Sequence, residues 1–356
     1  MALDDTRIGV IAGSVVHAAS VPTGRRLLGS RDAFVAQQSP FDRRARLDLR
    51  AGTGSATEAT AVTEEQYLEH AASQVLTWED AETAALRTVV AEIDHLLAGW
   101  SFFLPETLHL VKTTGREEGR TAHTRHLHTV VLPAGELAGA LRPPTGGDPP
   151  QARRTTVALR DLLVRALFHL ISKNNPNLRE ELYALVGYAR TGRAVALPDV
   201  PWPEADSPAT MADLRITHPD APELDVYVTL KVTDRHGDGG GPGAEQERAL
   251  LPVLLADRPY DGGSLVDYRA WHFLAIEQTA DGWAAASDGH GRPLTYPMSR
   301  RSGLWWQYLD RIGRNATTGL HHPEEILAEN FLLSALVPTP TLLSEIDAVL
   351  TLDGPA

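Results

Sequence analysis

Three groups of residues in this chain have types and spacings that can do chemistry. The run Thr121-Ala122-His123-Thr124-Arg125-His126-Leu127-His128 sets His126 and His128 two positions apart. On a strand they share one face, and two imidazoles so placed can hold one metal ion. A polar strand face beside solvent accounts for the same residues. The second group is His169 with Arg165 four positions before it, one helical turn apart on a shared face. A single histidine on a mostly apolar helix also serves as a hydrogen-bonded core residue. The third is Leu320-His321-His322-Pro323-Glu324-Glu325-Ile326-Leu327-Ala328-Glu329-Asn330-Phe331. Proline and acidic residues there suit a helix start, where the helix dipole favours negative charge. Glu325 and Glu329 are also spaced to project together into a cleft.

The elements that must position these groups follow from periodicity. Thr63 to Gln66 has the capping-box pattern, and Leu68, Ala71, Ala72 and Val75 continue at helical spacing. A second helix is predicted from Glu79 to Leu97. Leu108 to Val111 and His126 to Leu132 read as strands, and Gly135 to Pro150 as a loop. Thr155 to Ile171 carries a wide apolar stripe that includes Leu159, Leu163, Ala166 and Leu170. It should stop at Asn174-Asn175-Pro176, because proline forces its predecessor out of the helical region. Another helix is expected over Asn177 to Tyr188, and a proline-rich connection over Thr191 to Pro208. Asp225 to Val232 alternates as a strand, Asp234 to Gly243 is glycine-rich enough for a flexible loop, and Trp271–Ile276 with Gly282–Ala286 reads as a hairpin. Helices are predicted over Gly303 to Ile312 and Pro323 to Leu336. The division expected is an irregular segment 1–62, a helical and sheet core 63–194, a β-rich insertion 195–298 and C-terminal helices 299–356.

Composition narrows the function classes. The chain has 356 residues, 43% hydrophobic and 22% charged, which is an ordinary globular balance. With 33 basic and 46 acidic residues the net charge is −13, which argues against nucleic-acid and membrane-surface partners. With no cysteine, disulfides, thiolate metal sites and cysteine nucleophiles are excluded, and the 14 histidines are the soft ligands that remain. No stretch has the roughly 20 apolar residues of a membrane helix. The apolar segment Ile8 to Val21 follows Asp4 and Asp5 rather than a basic region, so a cytoplasmic location is expected. There is no phosphate-loop, dinucleotide-fold or serine-hydrolase elbow motif. Trp305 and Trp306 are expected to be packing residues. Asp234 and Asp238 lack the spacing of a calcium loop.

Several runs together resemble a bacterial group of zinc-metallopeptidase-like proteins of the gluzincin type. They are Ser39–Leu47, Val111–Gly119, Leu167-Phe168-His169 with Asn174-Asn175-Pro176, Ile312–Asn315 and His322–Phe331. The resemblance implies a zincin-like core. There one helix carries His-Glu-x-x-His and a later helix a third, glutamate ligand. The two histidines and the glutamate would hold zinc with one position open for water, and the motif glutamate would take the water's proton. Carried onto this chain, His169 is the second histidine, Glu325 the third ligand, and Glu329 the acid that orients a ligand.

The chain departs from that pattern where it matters most. Arg165 stands at the first histidine and Ala166 at the general base. A guanidinium does not lose its proton and so offers no lone pair to zinc, and alanine moves no proton. Arg165 could instead fill the metal position as a fixed cation and pair with Glu325. Burying that carboxylate unpaired would cost about 3–5 kcal/mol. A rebuilt metal site from His126, His128, His169 and Glu325 is the alternative, with zinc, iron or manganese as its ion.

The expected architecture is therefore α+β, with a zincin-like helical core, a small sheet and a β-rich insertion. The leading expectation is a degenerate, metal-free protein that binds a peptide or protein partner in the old active-site cleft. One alternative is a metalloenzyme with the rebuilt site. The other is a metal-free acid–base enzyme on a small anionic metabolite, using Arg165, His169 and the glutamates.

Overall fold

The computed structural model describes residues 4–48, 62–141, 159–202, 207–233, 245–313, 320–336 and 341–351. The protein is mixed α+β. It divides into two compact units: unit 1 is Met1–Ala36, Val62–Arg179 and Ala328–Ala356, and unit 2 is Gln37–Ala61 and Glu180–Leu327. No helix among the described residues is long and apolar enough to cross a membrane. The expected loops over Ala51–Thr60 and Asp234–Gly243, the expected helix start at Thr155, and Arg314 and Asn315 lie outside the described residues.

Unit 1 is built on a five-stranded sheet in the order β1-β2-β3-β5-β4. The strands are β1 (Thr6–Ile11), β2 (Ser14–Ala18), β3 (Thr107–Thr113), β4 (His123–Arg125) and β5 (Thr129–Pro133). The first two correct the expectation of an irregular start. Ala12 and Gly13 both have positive φ, 47° and 86°, which is the backbone of a two-residue hairpin turn whose twist matches the strands. Alanine in place of the usual asparagine hides that turn from the sequence. β2, β3 and β5 run parallel, whereas β1 and β4 pair antiparallel at the two edges.

Of the stripe its periodicity predicts, the helix Asp80–Leu97 buries Leu86, Val90, Ile93 and Leu97, whereas Val89 is half-buried and Ala84 is exposed. The strand β1 comes so near it that a Cβ on Gly9 would lie 2.7 Å from Val90 Cγ1. The helix Leu159–Asn174 is buried on nearly every face, and the next, Pro176–Leu185, starts at the proline that ends it. Two expectations are corrected here. Ala134–Leu141 is a helix that buries Leu137 rather than the start of a loop. The strand expected from His126 is interrupted: residues 126–128 form a turn, and β5 starts at Thr129. The cause is Asp32, whose Oδ2 accepts the His126 amide at 3.1 Å and Arg125 Nε at 2.6 Å, with His126 held at φ 54°. Burial works against the Asp32 carboxylate, but the Arg125 guanidinium and the amides of Val35 and His126 hold its pKa below the usual value.

Unit 2 carries a six-stranded antiparallel sheet in the order β10-β9-β8-β7-β6, with β11 also on β9. The strands are β6 (Tyr188–Arg190), β7 (Val226–Thr233), β8 (Glu245–Ala256), β9 (Arg269–Thr279), β10 (Gly282–Ala285) and β11 (Thr295–Pro297). The predicted strand at 225–232 and the hairpin at 271–286 are both present. One face of the sheet packs on Phe41, Trp202, Met211, Tyr260 and Tyr268. The helix Gly303–Ile312 buries Trp305, whereas Trp306 is 58% exposed.

The run Ser39–Leu47 acts as a clamp within unit 2. Ser39 and Asp42 close a capping box at the start of the helix Pro40–Arg46. The fully buried Asp42 carboxylate takes Arg46 Nη1 at 2.5 Å and the Thr217 amide at 3.1 Å, while Ser39 Oγ donates to the Arg215 carbonyl at 2.5 Å. With Arg46 Nη2, which donates to the Thr217 carbonyl at 3.2 Å, these bonds fix the chain at 215–217, immediately before His218.

Candidate functional site

In unit 1 the helix Leu159–Asn174 carries Arg165 and His169. Arg165 Nη2 lies 3.8 Å from Glu329 Oε1, with the arginine side chain about a third exposed and the glutamate buried. The glutamate that Arg165 meets within its unit is thus one turn past Glu325. A second carboxylate feels the same charge. Burial raises the pKa of Glu136, while the Ala122 amide on its Oε2 at 2.6 Å, His123 and Arg165 pull it back. Arg165 Nε is buried with no hydrogen-bond partner among the described residues. His169 is buried, with its ring edge-on to Phe168 at 5.9 Å.

His126 and His128 stand elsewhere on unit 1. His126 Nε2 meets the Leu27 carbonyl at 2.9 Å and Ser30 Oγ at 3.0 Å. Its ring stacks on His128 at 5.9 Å, and His128 meets His109 at 5.7 Å. The structure therefore joins them to His109, which the sequence offered only as a strand residue.

In unit 2 the helix Pro323–Leu336 begins beside a small open cleft lined by Arg215, His218, Glu223, His321 and His322 over apolar residues of β7 and β8. His218 Nδ1 accepts the backbone amides of Asp220 at 3.1 Å and Ala221 at 3.2 Å, so that nitrogen carries no proton. The proton is on Nε2, 2.8 Å from Glu325 Oε1, to which it donates. This tautomer follows from the bonding partners. It makes His218 a donor that orients Glu325. His322 Nδ1 likewise accepts the Glu324 amide at 3.1 Å, which caps the helix start, and Tyr183 donates to the buried Glu324 carboxylate.

His321 differs from its neighbours. Its ring lies 5.8 Å from His218 and 6.4 Å from Trp271. Burial lowers its pKa to about 4, helped by His218 and Arg269 and opposed by Glu325. At neutral pH it is therefore an uncharged imidazole in the cleft wall. The buried Arg215, its pKa lowered by burial to about 10, is still a cation at that pH. Asp42 and Glu223 oppose that drop.

Sequence reasoning missed His218 and gave His321 no role. His218 sits in an irregular segment, and its function depends on backbone amides two and three residues on, a signal that spacing does not carry.

Zinc held on the His-Glu-x-x-His pattern does not fit these residues. Arg165 brings a permanent charge already directed at Glu329, and Ala166 brings a buried methyl group. Compared with protein-family models, with curated proteins and with solved structures, the chain has no significant match.

Proposed function

We propose that this chain is a metal-free member of the gluzincin-like group it resembles, binding a peptide or protein partner rather than cleaving one. The observation that carries the reading is the Arg165–Glu329 ion pair. The position where that group has its first metal ligand holds a cation turned to a carboxylate, and the adjacent position holds no base. The peptide class of the partner comes from the resemblance, and the lost chemistry from the residues.

The test restores what is missing. Arg165→His with Ala166→Glu should bind about one equivalent of zinc that His169→Ala then removes, whereas the wild-type chain should hold no zinc that depends on His169. Elemental mass spectrometry on protein made without a histidine tag reads both. Stoichiometric zinc in the wild type that His169→Ala abolishes would overturn the proposal.

A second reading is favoured by the neutral His321 beside Arg215 in the unit 2 cleft. An uncharged imidazole in the same cleft as a buried cation suits hydrogen bonding and charge pairing with a small anionic ligand. The alternative built on Arg165 is less favoured, because Glu329 answers that charge. Binding of small carboxylates, followed by the His321 imidazole signal in NMR, tests the cleft reading. Failure of every carboxylate to perturb that signal would retire it.

A further inference from the structure

The cation in the wall of the unit 2 cleft lacks a charged partner. Arg215 is only 8% exposed, yet its guanidinium meets neutral oxygens alone among the described residues. Nη2 donates to the Pro222 carbonyl, and Nη1 lies 3.5 Å from Gln37 Oε1. Asp42 is near enough to act on Arg215, but its carboxylate is taken by Arg46 at 2.5 Å. Buried charges are normally paired, so the position calls for a negative group from outside.

Glu223 lines the same cleft and is half-buried. Its charge also acts on Arg215, but no hydrogen bond or ion pair joins the two, and the Glu223 carboxylate has no such partner among the described residues. Glu325, the other carboxylate here, is engaged by His218 Nε2 at 2.8 Å. The cleft thus offers a cation and an anion that feel each other without touching. A simple anion would be drawn to Arg215 and repelled by Glu223, and a simple cation the reverse. A ligand that carries both charges satisfies both residues. The remaining lining includes Ile216, Leu224, Val226 and Leu254, which suit an apolar group.

We propose that this cleft binds a free α-amino acid with an apolar side chain. Its carboxylate meets Arg215, its ammonium meets Glu223, and its side chain lies on the apolar lining. The proposal rests on the reading of the cleft as a carboxylate site and names the ligand. With charge-assisted contacts of about 2.8 Å at each end, an amino acid spaces its two partners about 8 Å apart. That is beyond direct contact and within range of each other's field, which is the relation Arg215 and Glu223 have. His321 is uncharged at neutral pH, so it upsets neither charge and offers one donor and one acceptor nitrogen.

The experiment titrates the full chain with leucine, read by calorimetry and by the His321 imidazole signal in NMR. Three analogues each lack one feature: isocaproate the ammonium, isoamylamine the carboxylate and serine the apolar side chain. Leucine should bind saturably, and each analogue should bind at least about tenfold more weakly. Glu223→Gln should weaken leucine by about tenfold and leave isocaproate as tight or tighter. Circular dichroism checks that the variant folds, and the analogue series tests the proposal on the wild type alone.

Isocaproate, isoamylamine or serine matching leucine would overturn the proposal, as would leucine binding that Glu223→Gln does not change. Another carboxylate shifting the His321 signal while leucine does not would also overturn it, and the carboxylate reading of the cleft would stand. If no carboxylate shifts that signal, both fall together.

Discussion

Asp42 accepts the backbone amide of Thr217 at 3.1 Å across 175 residues of chain. The contact is fully buried, and Arg46 completes it by pairing with the same carboxylate and donating to the Thr217 carbonyl. Thr217 is the residue before His218, so the clamp sets where the imidazole that holds Glu325 can stand. A run of charged residues near the N-terminus thereby controls a cleft residue far along the sequence.

Removing one member of that clamp should be expensive. Asp42→Ala takes the carboxylate away from the buried Arg46 guanidinium and should destabilise the protein by about 3–5 kcal/mol. Asp42→Asn keeps an acceptor for the Thr217 amide and should cost less. Urea denaturation followed by tryptophan fluorescence gives both numbers. Equal losses would show that the charge, not the hydrogen bond to the backbone, is what matters.

Acid should weaken the fold through two histidines of unit 2. Burial lowers the pKa of both His321 and His272 to about 4. Between pH 6.5 and 4 the unfolded chain takes up protons at these positions and the folded chain does not. Stability therefore falls as pH drops through that window and levels off below it, by about 1–3 kcal/mol for each group. Thermal melts of His321→Gln across that range should show a flatter dependence than wild type. An unchanged slope would mean that His321 is not held neutral.

The Arg165–Glu329 pair should contribute little to stability even though it carries the functional reading. At 3.8 Å, with the arginine about a third exposed, solvent screens most of the attraction. Arg165→Met should shift the unfolding free energy by less than about 1 kcal/mol. A larger loss, measured by chemical denaturation, would mean that the cation holds more than this one carboxylate.

Gly24 sets propensity against packing. Alanine is the better helix former by about 1 kcal/mol, and Gly24 lies inside the helix Val21–Leu28. Its Cβ would stand 2.8 Å from Val75 Cγ1 and 3.1 Å from Val111 Cγ1, both on stiff β-branched side chains. Overpacking of this kind costs about 1–3 kcal/mol, so Gly24→Ala should come out neutral to destabilising in a thermal melt. A rise in the melting temperature would show that the two valines yield easily.

Local signals were legible and long-range ones were not. Thr63 and Gln66 form the capping box their spacing predicts, and the helix before Pro176 ends at Asn174. Those features depend on residues three or four apart. β8 was hidden because Pro252 interrupts an apolar run that does not alternate, yet the strand is central and Pro252 pairs opposite Phe273. The candidate residues divide the same way. Arg165 and Ala166 are read from position alone. His17 and His109 come opposite each other only once β2 and β3 pair in parallel, and nothing local in the sequence encodes that register.

The way the chain is shared between the units has a consequence for its synthesis. Unit 1 takes its last segment from residue 328 onward, after all of unit 2 has been made. On the ribosome the larger part of unit 1 emerges early, but it lacks the helix residues that carry Glu329 and Phe331 until the end. Phe331 is fully buried against Phe168 at 5.3 Å and Trp100 at 4.9 Å, so until it arrives those rings have an apolar hollow beside them. Unit 2 can therefore complete its core first, and a nascent chain stalled before residue 328 would display unfinished apolar surface of the kind that chaperones hold.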